Sequence, residues 1–457
     1  SQSITLPGEK LLCRSYDRLA PDLRESPASF APKTLSPDGV TEIPELSLRV
    51  TRTMRACDGG AEESIEFYNY GEKKLRFSTI KLGWLLPLQE LTLHAIPFTV
   101  QQDGWRHMYS AETLRCGEHF QIVNNRLPEQ PGRYFGNSVY SDPSRPEPPL
   151  CEEGLLRSEA WFWGTERGGL LAAKYNNRDI EYAVAEPVGP AREELQLGGA
   201  GFCLYHEPSA AQELDAGQRF RFGSTFYYQA DDLTRACGLY RALLDRKGHA
   251  LPSDYAPKVH WNELYDIGWY HSDRAALNRS YTLPALLREA QKAHECGCGA
   301  LYLDPGWEFA EGTTFFDYHR LGDETELVKT LREQYGLSLA IRIILRTYVN
   351  YWPDALNAVH TPDGFASACM LPRTIIPSNQ LLYEQCLCNE PFRKEKERRA
   401  DKLAQDGAYF IMLDEMDWRG PCYHPGHGHA RPSTAYEHAD AVCRLAKHIK
   451  NTNHIQV

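Results

Sequence analysis

The chain has no apolar run near the roughly 20 residues that span a bilayer. It also has no dense cluster of Lys and Arg of the kind that holds phosphates. Its formal net charge is -11, and its most basic run, "RKEKERR" at 393 to 399, is interleaved with acids and reads as a solvated helix face. Neither a membrane nor a nucleic acid is therefore an expected partner. Three further absences narrow the chemistry. There is no G-x-S-x-G elbow, no G-x-x-x-x-G-K-[ST] phosphate loop and no G-x-G-x-x-G after a strand, which argues against a serine hydrolase, a P-loop NTPase and a dinucleotide enzyme. The 13 cysteines lack the even count and regular spacing of a disulfide framework. "CGC" at 296 to 298 and "CLC" at 386 to 388 leave one residue between thiols, where zinc and redox pairs usually leave two. Buried free thiols in a reducing, cytoplasmic setting are the expectation, with no cofactor and no metal.

What is present is an ordinary folded composition, 42% hydrophobic and 24% charged over 457 residues. That length exceeds the roughly 250 to 300 residues at which one hydrophobic core stops growing, so at least two domains are expected. Two rhythms divide the chain. Up to residue 232 it reads as short strands rich in aromatic and β-branched residues, such as "ESIEFYNYG", "LTLHAIPFTV" and "FRFGSTFYYQ", cut by Gly, Pro, Asn and Asp. This pattern predicts a large antiparallel β sandwich. Over 233 to 257 a helical linker is expected, because Leu233, Cys237, Tyr240 and Leu244 recur at helical spacing and "ALPSDYAPK" follows.

From 258 to 457 strands and helices alternate, which predicts parallel strands with right-handed crossovers and a (β/α)8 TIM-type barrel. The count reaches four βα units and the start of a fifth strand at "HIQV". A half-barrel would leave unpaired strand edges, so the expectation is that the natural chain continues or that another chain completes the barrel.

Polar residues gather where these strands should end. "YFIMLDEMDW" at 409 to 418 places Asp414, Glu415 and Asp417 after an apolar run, with Phe410, Met412 and Asp414 on one strand face. Carboxylates this close repel one another unless cations or hydrogen bonds compensate, which is a mark of functional sites as well as of solvated turns. "LYLDPGWE" at 301 to 308 ends in Asp304 beside Trp307, and "VHWNELYDIGWY" at 259 to 270 carries Trp261 and Glu263. Carboxylates that accept hydroxyl hydrogen bonds, next to indoles that cover a ring face, suit a sugar. Each motif taken alone is equally at home in a turn with a core Trp. Arg342, Arg419 and His427 are further candidates for the rim. The loop "HPGHGH" could bind a metal through His424, His427 and His429, but its Gly and Pro content fixes no ligand geometry.

Sandwich, linker helix and barrel in this order resemble the family 36 glycoside hydrolases, the alpha-galactosidases and raffinose-synthase-like enzymes of the clan shared with family 27. "ELDAGQRFRFGSTFYYQADDLTRACGLYRALLDRK" at 213 to 247 looks like that family's last sandwich strands and linker helix. "LYLDPGWE" looks like its D-D-G-W, and "YFIMLDEMDW" sits where the family has K-x-D. The resemblance implies a retaining α-glycosidase with Asp414 as nucleophile, Asp417 in reserve and Asp304 as a sugar-hydroxyl ligand. Trp307, Trp261 and Glu263 would line the sugar subsite. Pro305 and Met412 replace two of the family's polar residues, which separates this chain from plain galactose specificity. The family's acid/base carboxylate comes from the sixth strand, beyond residue 457. An oligosaccharide or glycoside is the implied partner, and a homo-oligomer is compatible with this reading. Two rivals remain open: a non-catalytic carbohydrate-binding or scaffolding protein, and a metal-dependent barrel enzyme using the histidine loop.

Overall fold

The computed structural model describes residues 2–6, 9–21, 38–87, 91–96, 99–102, 105–111, 113–114, 122–124, 156–165, 168–177, 181–188, 194–201, 212–267, 274–347, 357–366, 368–369, 382–416, 421–429 and 432–457. The chain divides into two compact units, Ser1–Leu251 and Pro252–Val457. Among the described residues, no helix is long and apolar enough to cross a membrane.

In the first unit the strands pair antiparallel into one 7-stranded, one 8-stranded and one 3-stranded sheet. The aromatic segments become long neighbours. Arg219–Ala230 pairs with Gly60–Asn69 on one side and Gly168–Tyr175 on the other. Alternation buries one face of each strand, so Ile43, Val50, Ile65, Phe67 and Phe222 of the 8-stranded sheet share a core with Phe77, Ile80, Leu82 and Leu214 of the 7-stranded one. The helix Leu233–Leu244 begins at Asp232, whose side chain accepts from Arg235 N. It buries Ala236, Tyr240 and Leu243 against Phe162, Leu171 and Phe226 of the first unit.

The second unit is built on four parallel strands, His260–Asn262, Ala300–Leu303, Ser338–Ile343 and Ala408–Leu413, adjacent in that order. Crossover helices include Leu283–Glu295, Glu324–Tyr335 and Glu390–Asp406, and Ala435–Asn453 follows the fourth strand. Their ends are encoded locally. Asp323 caps the second of these helices through Thr325 N, and Thr434 with Glu437 forms a capping box on the last. Gly407 closes the third at φ 117, where a Cβ would sit 2.7 Å from Val328 Cγ1. One strand face, with Leu301, Leu303, Leu339, Ile341 and Ile411, packs on helix residues such as Leu286, Leu331, Leu403 and Leu445. The opposite face carries Tyr302, Ala340 and Phe410, with His260 stacked on Tyr302 at 5.9 Å. At the chain's last residues Gln456 bridges Phe410 in parallel, with Gln456 N–H donating to Tyr409 O and Ile411 N–H to Gln456 O. The described residues thus show four parallel strands and the start of a fifth pairing, while a closed eight-stranded barrel is not seen.

Candidate active site at the strand ends

Side chains that leave the C-terminal ends of the parallel strands on the face opposite the helices converge on one cation. Arg342 Nε donates to Asp414 Oδ2 at 2.7 Å and lies 3.4 Å from Asp304 Oδ1. Its Nη1 is 3.3 Å from Glu311 Oε1, and its Nη2 is 3.6 Å from Glu415 Oε2. Burial disfavours the guanidinium's charge, but Glu311, Asp414, Glu415 and Asp304 outweigh it and hold Arg342 above its ordinary pKa. The register explains the meeting. Ala340 pairs with Tyr302 and with Phe410, so Arg342, two residues on, returns to the same face one step nearer the rim. Asp414 stays in the ladder, with its N–H donating to Ile343 O, and Glu415 then turns the chain at φ 50. A non-glycine residue held in that conformation is a mark of strain at functional sites. The turned Glu415 N–H donates to Asp414 Oδ1 at 2.8 Å.

Next to this cluster, Asn262 Nδ2 donates to Asp304 Oδ2 at 2.7 Å. Glu263 is fully buried, accepting at Oε1 from Tyr281 OH at 2.6 Å and from Asp304 N–H at 2.9 Å. Burial pushes its carboxyl up to about 8, so it is largely protonated at neutral pH. Burial also pushes Glu311 up to about 7, against the pull of Arg342. The turn that carries Asp304 into this arrangement needs Gly306, at φ 122, where a Cβ would meet Tyr281 Cδ2 at 2.9 Å.

Several expected residues lie elsewhere. Trp307 does not present a ring face: it is 1% exposed, packs on Phe316, and donates Nε1–H to Arg342 O at 2.9 Å. It has been drawn into the core because the Pro305-Gly306 turn returns the chain to the helix-covered side. Trp261 also points to that side, half-buried in the same core, with Nε1–H donating to Glu289 Oε2 at 3.0 Å. Strand alternation places Trp261 opposite Asn262, so the two cannot share the rim. His427 is buried, with Nδ1 3.5 Å from Cys422 Sγ, in a thiol and imidazole cluster with Cys386 and His429. Asp417 and Arg419 lie outside the described residues. The "RKEKERR" run is not a solvated face either. Lys396 is fully buried, donating to Thr314 Oγ1 at 2.7 Å and Ile344 O at 3.1 Å, while Arg399 donates to Thr313 O at 2.8 Å. Loop carbonyls folded inward need donors, and this helix provides them.

Sequence reasoning missed Glu311, Tyr281 and the central position of Arg342. The signal for Arg342 was readable: an arginine inside "LSLAIRIIL", a run otherwise buried, must face partners.

The sequence matches no protein-family model and no curated protein. In structure the chain is similar to the GH36 alpha-galactosidase AgaA from Geobacillus stearothermophilus, with a TM-score of 0.54, 14% identity, and 97% of this chain and 58% of that chain covered. It is similar to AgaB of the same organism at a TM-score of 0.54 and 14% identity, over 99% of this chain and 60% of that one. The galactosidase domain of the alpha-galactosidase-sucrose kinase AgaSK gives 0.53 at 13% identity, over 98% and 58%. Forms of AgaA have been crystallised with stachyose and with raffinose. The chain spans about three fifths of the length of these proteins. The likeness is one of fold.

Proposed function

We propose that this chain carries the nucleophile side of a retaining α-glycosidase site, alpha-galactosidase-like in fold, with Asp414 attacking the anomeric carbon. The observation supporting this reading is the meeting of Asp304 and Asp414, from the second and fourth parallel strands, on the Arg342 guanidinium, in a chain whose fold resembles GH36 alpha-galactosidases. Catalytic groups of parallel α/β barrels sit at that strand edge. In the reaction, an Asp414 oxygen bonds the anomeric carbon as the bond to the leaving oxygen breaks. A second carboxyl protonates that oxygen, and water then cleaves the glycosyl ester. Arg342 positions Asp414 and Asp304 and supplies the counter-charge that keeps several acids together. Asp304 accepts a sugar hydroxyl, and the protonated Glu263 below it keeps another anion out of the site. Asp417, Arg419 and His427 are assigned no step.

A carbohydrate-binding protein without turnover is the second reading. Both Asp414 oxygens are already engaged, one by Arg342 and one by the Glu415 N–H, and on the same strand face stands the partly exposed Met412, whose sulfur accepts from Tyr302 OH at 2.7 Å. Both readings take an oligosaccharide or glycoside as partner. The test is hydrolysis of aryl α-glycosides, α-galactosides first, by the full-length protein and its Asp414→Ala variant. The variant is expected to lose activity by on the order of 10³-fold or more while keeping its fold, and to recover turnover with azide as glycosyl azide. Unchanged hydrolysis in Asp414→Ala would refute the assignment. Sugar binding by a wild-type protein that never turns over selects the second reading.

A further inference from the structure

Far apart in sequence, Cys386 follows the strand Leu382–Glu384, while Cys422, His427 and His429 lie in the segment after the fourth parallel strand. One donor atom from each, two thiol sulfurs and two imidazole nitrogens, falls within 4.8 Å of all the others. Cys386, Cys422 and His427 are 3%, 1% and 4% exposed, and His429 is half-buried. Tetrahedral zinc at about 2.3 Å from sulfur and 2.0 to 2.1 Å from nitrogen sets its donors roughly 3.3 to 3.8 Å apart. The Cys422 Sγ to His427 Nδ1 separation of 3.5 Å is within that range. The structure assigns these four residues as a closed structural site for a divalent cation of zinc's character.

The backbone holds both thiols in place. Cys386 N–H donates to Asn357 O at 3.0 Å, and Cys386 O accepts from Asn389 N–H at 3.2 Å. Cys422 N–H donates to Ser433 Oγ at 2.8 Å, and Ser433 N–H donates back to Cys422 O at 3.0 Å. His360 N–H points at Cys422 Sγ at 3.5 Å, the outer donor that stabilises a metal thiolate. Two thiolates and two neutral imidazoles neutralise a dication, and this sulfur and nitrogen set suits zinc over magnesium or calcium. Loading releases two protons, one from each thiol, with no change of oxidation state. Four protein donors leave no position open for substrate, so the ion is a staple and not a reagent. It ties the chain that leaves the Asp414 strand to the segment around Cys386. The site does not depend on the glycosidase reading.

Full-length protein purified without a histidine tag is expected to carry about one zinc per chain by elemental analysis. Cys422→Ser and His427→Gln should lose most of it, whereas Cys443→Ser, at an exposed thiol in the last helix, should retain it. Should those variants fail to fold, metal-stripped wild type is titrated with cobalt. Thiolate-to-cobalt absorption, the visible bands of a four-coordinate ion and two protons released per cobalt are expected. No zinc in the purified protein together with no cobalt uptake overturns the site. So does a disulfide between Cys386 and Cys422 in unreduced protein, or zinc retained by both Cys386→Ser and Cys422→Ser.

Discussion

Charge in the sheet core of the first unit and charge at the strand ends of the second are arranged in opposite ways. In the first, Lys174 meets Glu181 at 3.0 Å with both side chains fully buried, and Arg52 meets Glu63 at 2.8 Å with each 1% exposed. Here cations and carboxylates match in number, Glu63 acting on Lys174 as well, with secondary partners close by. Tyr227 OH donates to Glu63, Arg52 lies over the Trp84 ring and Lys174 over the Phe222 ring. Burial alone draws Lys174 down and Glu181 up, toward their neutral forms. At the strand ends of the second unit one guanidinium faces four carboxylates, of which the Asp414 side chain remains 38% exposed. Balanced, sealed pairs specify packing. An unbalanced cluster at a partly exposed rim is the arrangement that the proposed glycosidase site would draw on.

Three experiments would break or sharpen this contrast. Glu181→Ala leaves Lys174 in the sheet core without its carboxylate, to stay charged and unpaired or to give up its proton, and is expected to cost about 3 to 5 kcal/mol in urea unfolding. A loss below about 1 kcal/mol would put the pair among surface pairs and remove the contrast. Arg342→Met leaves its four acids without their shared cation. The expected loss is about 2 to 3 kcal/mol at pH 8, shrinking toward pH 5 as Glu311, whose carboxyl burial pushes up to about 7, takes up its proton. A loss independent of pH would make Arg342 a packing residue. Glu263→Gln gives the smallest effect. Its folded pKa, about 8, lies above the unfolded value near 4.5, so the wild type is stabilised by the bound proton below pH 4.5 and loses that advantage as pH rises through 8. The amide should remove this decline, favouring the variant by on the order of 2 kcal/mol more at pH 6.5 than at pH 5. Parallel stability curves for the two proteins would place the neutral carboxyl elsewhere.

Much of this arrangement was legible in the residues. Asp304 and Asp414 could be placed at strand ends because apolar runs of strand length stop at them, and the βα rhythm set those strands parallel. Relative faces were legible too, since alternation alone puts Phe410, Met412 and Asp414 together. The absolute face was not. Trp307 and Trp261 look like sugar platforms in sequence, but the same apolar surface serves a core once helices cover that side of the sheet. Glu263 reads as a rim carboxylate until Tyr281, from the bend between the helices Arg274–Ser280 and Leu283–Glu295, is packed over it. "RKEKERR" reads as a solvated face because a helix pattern does not reveal which loop will turn its carbonyls inward.

The sequence by itself determined the division into an antiparallel and a parallel half, the strand ends and the acids placed there. These follow from local propensity and from periods of two and 3.6 residues, which act within a few residues of chain. Tertiary structure decided that Arg342 is the centre of the rim, that the two indoles belong to the core, and that Cys386 joins Cys422, His427 and His429. Each of those depends on contacts between residues tens of positions apart, where the cost of closing the intervening chain is met by packing that no single segment encodes.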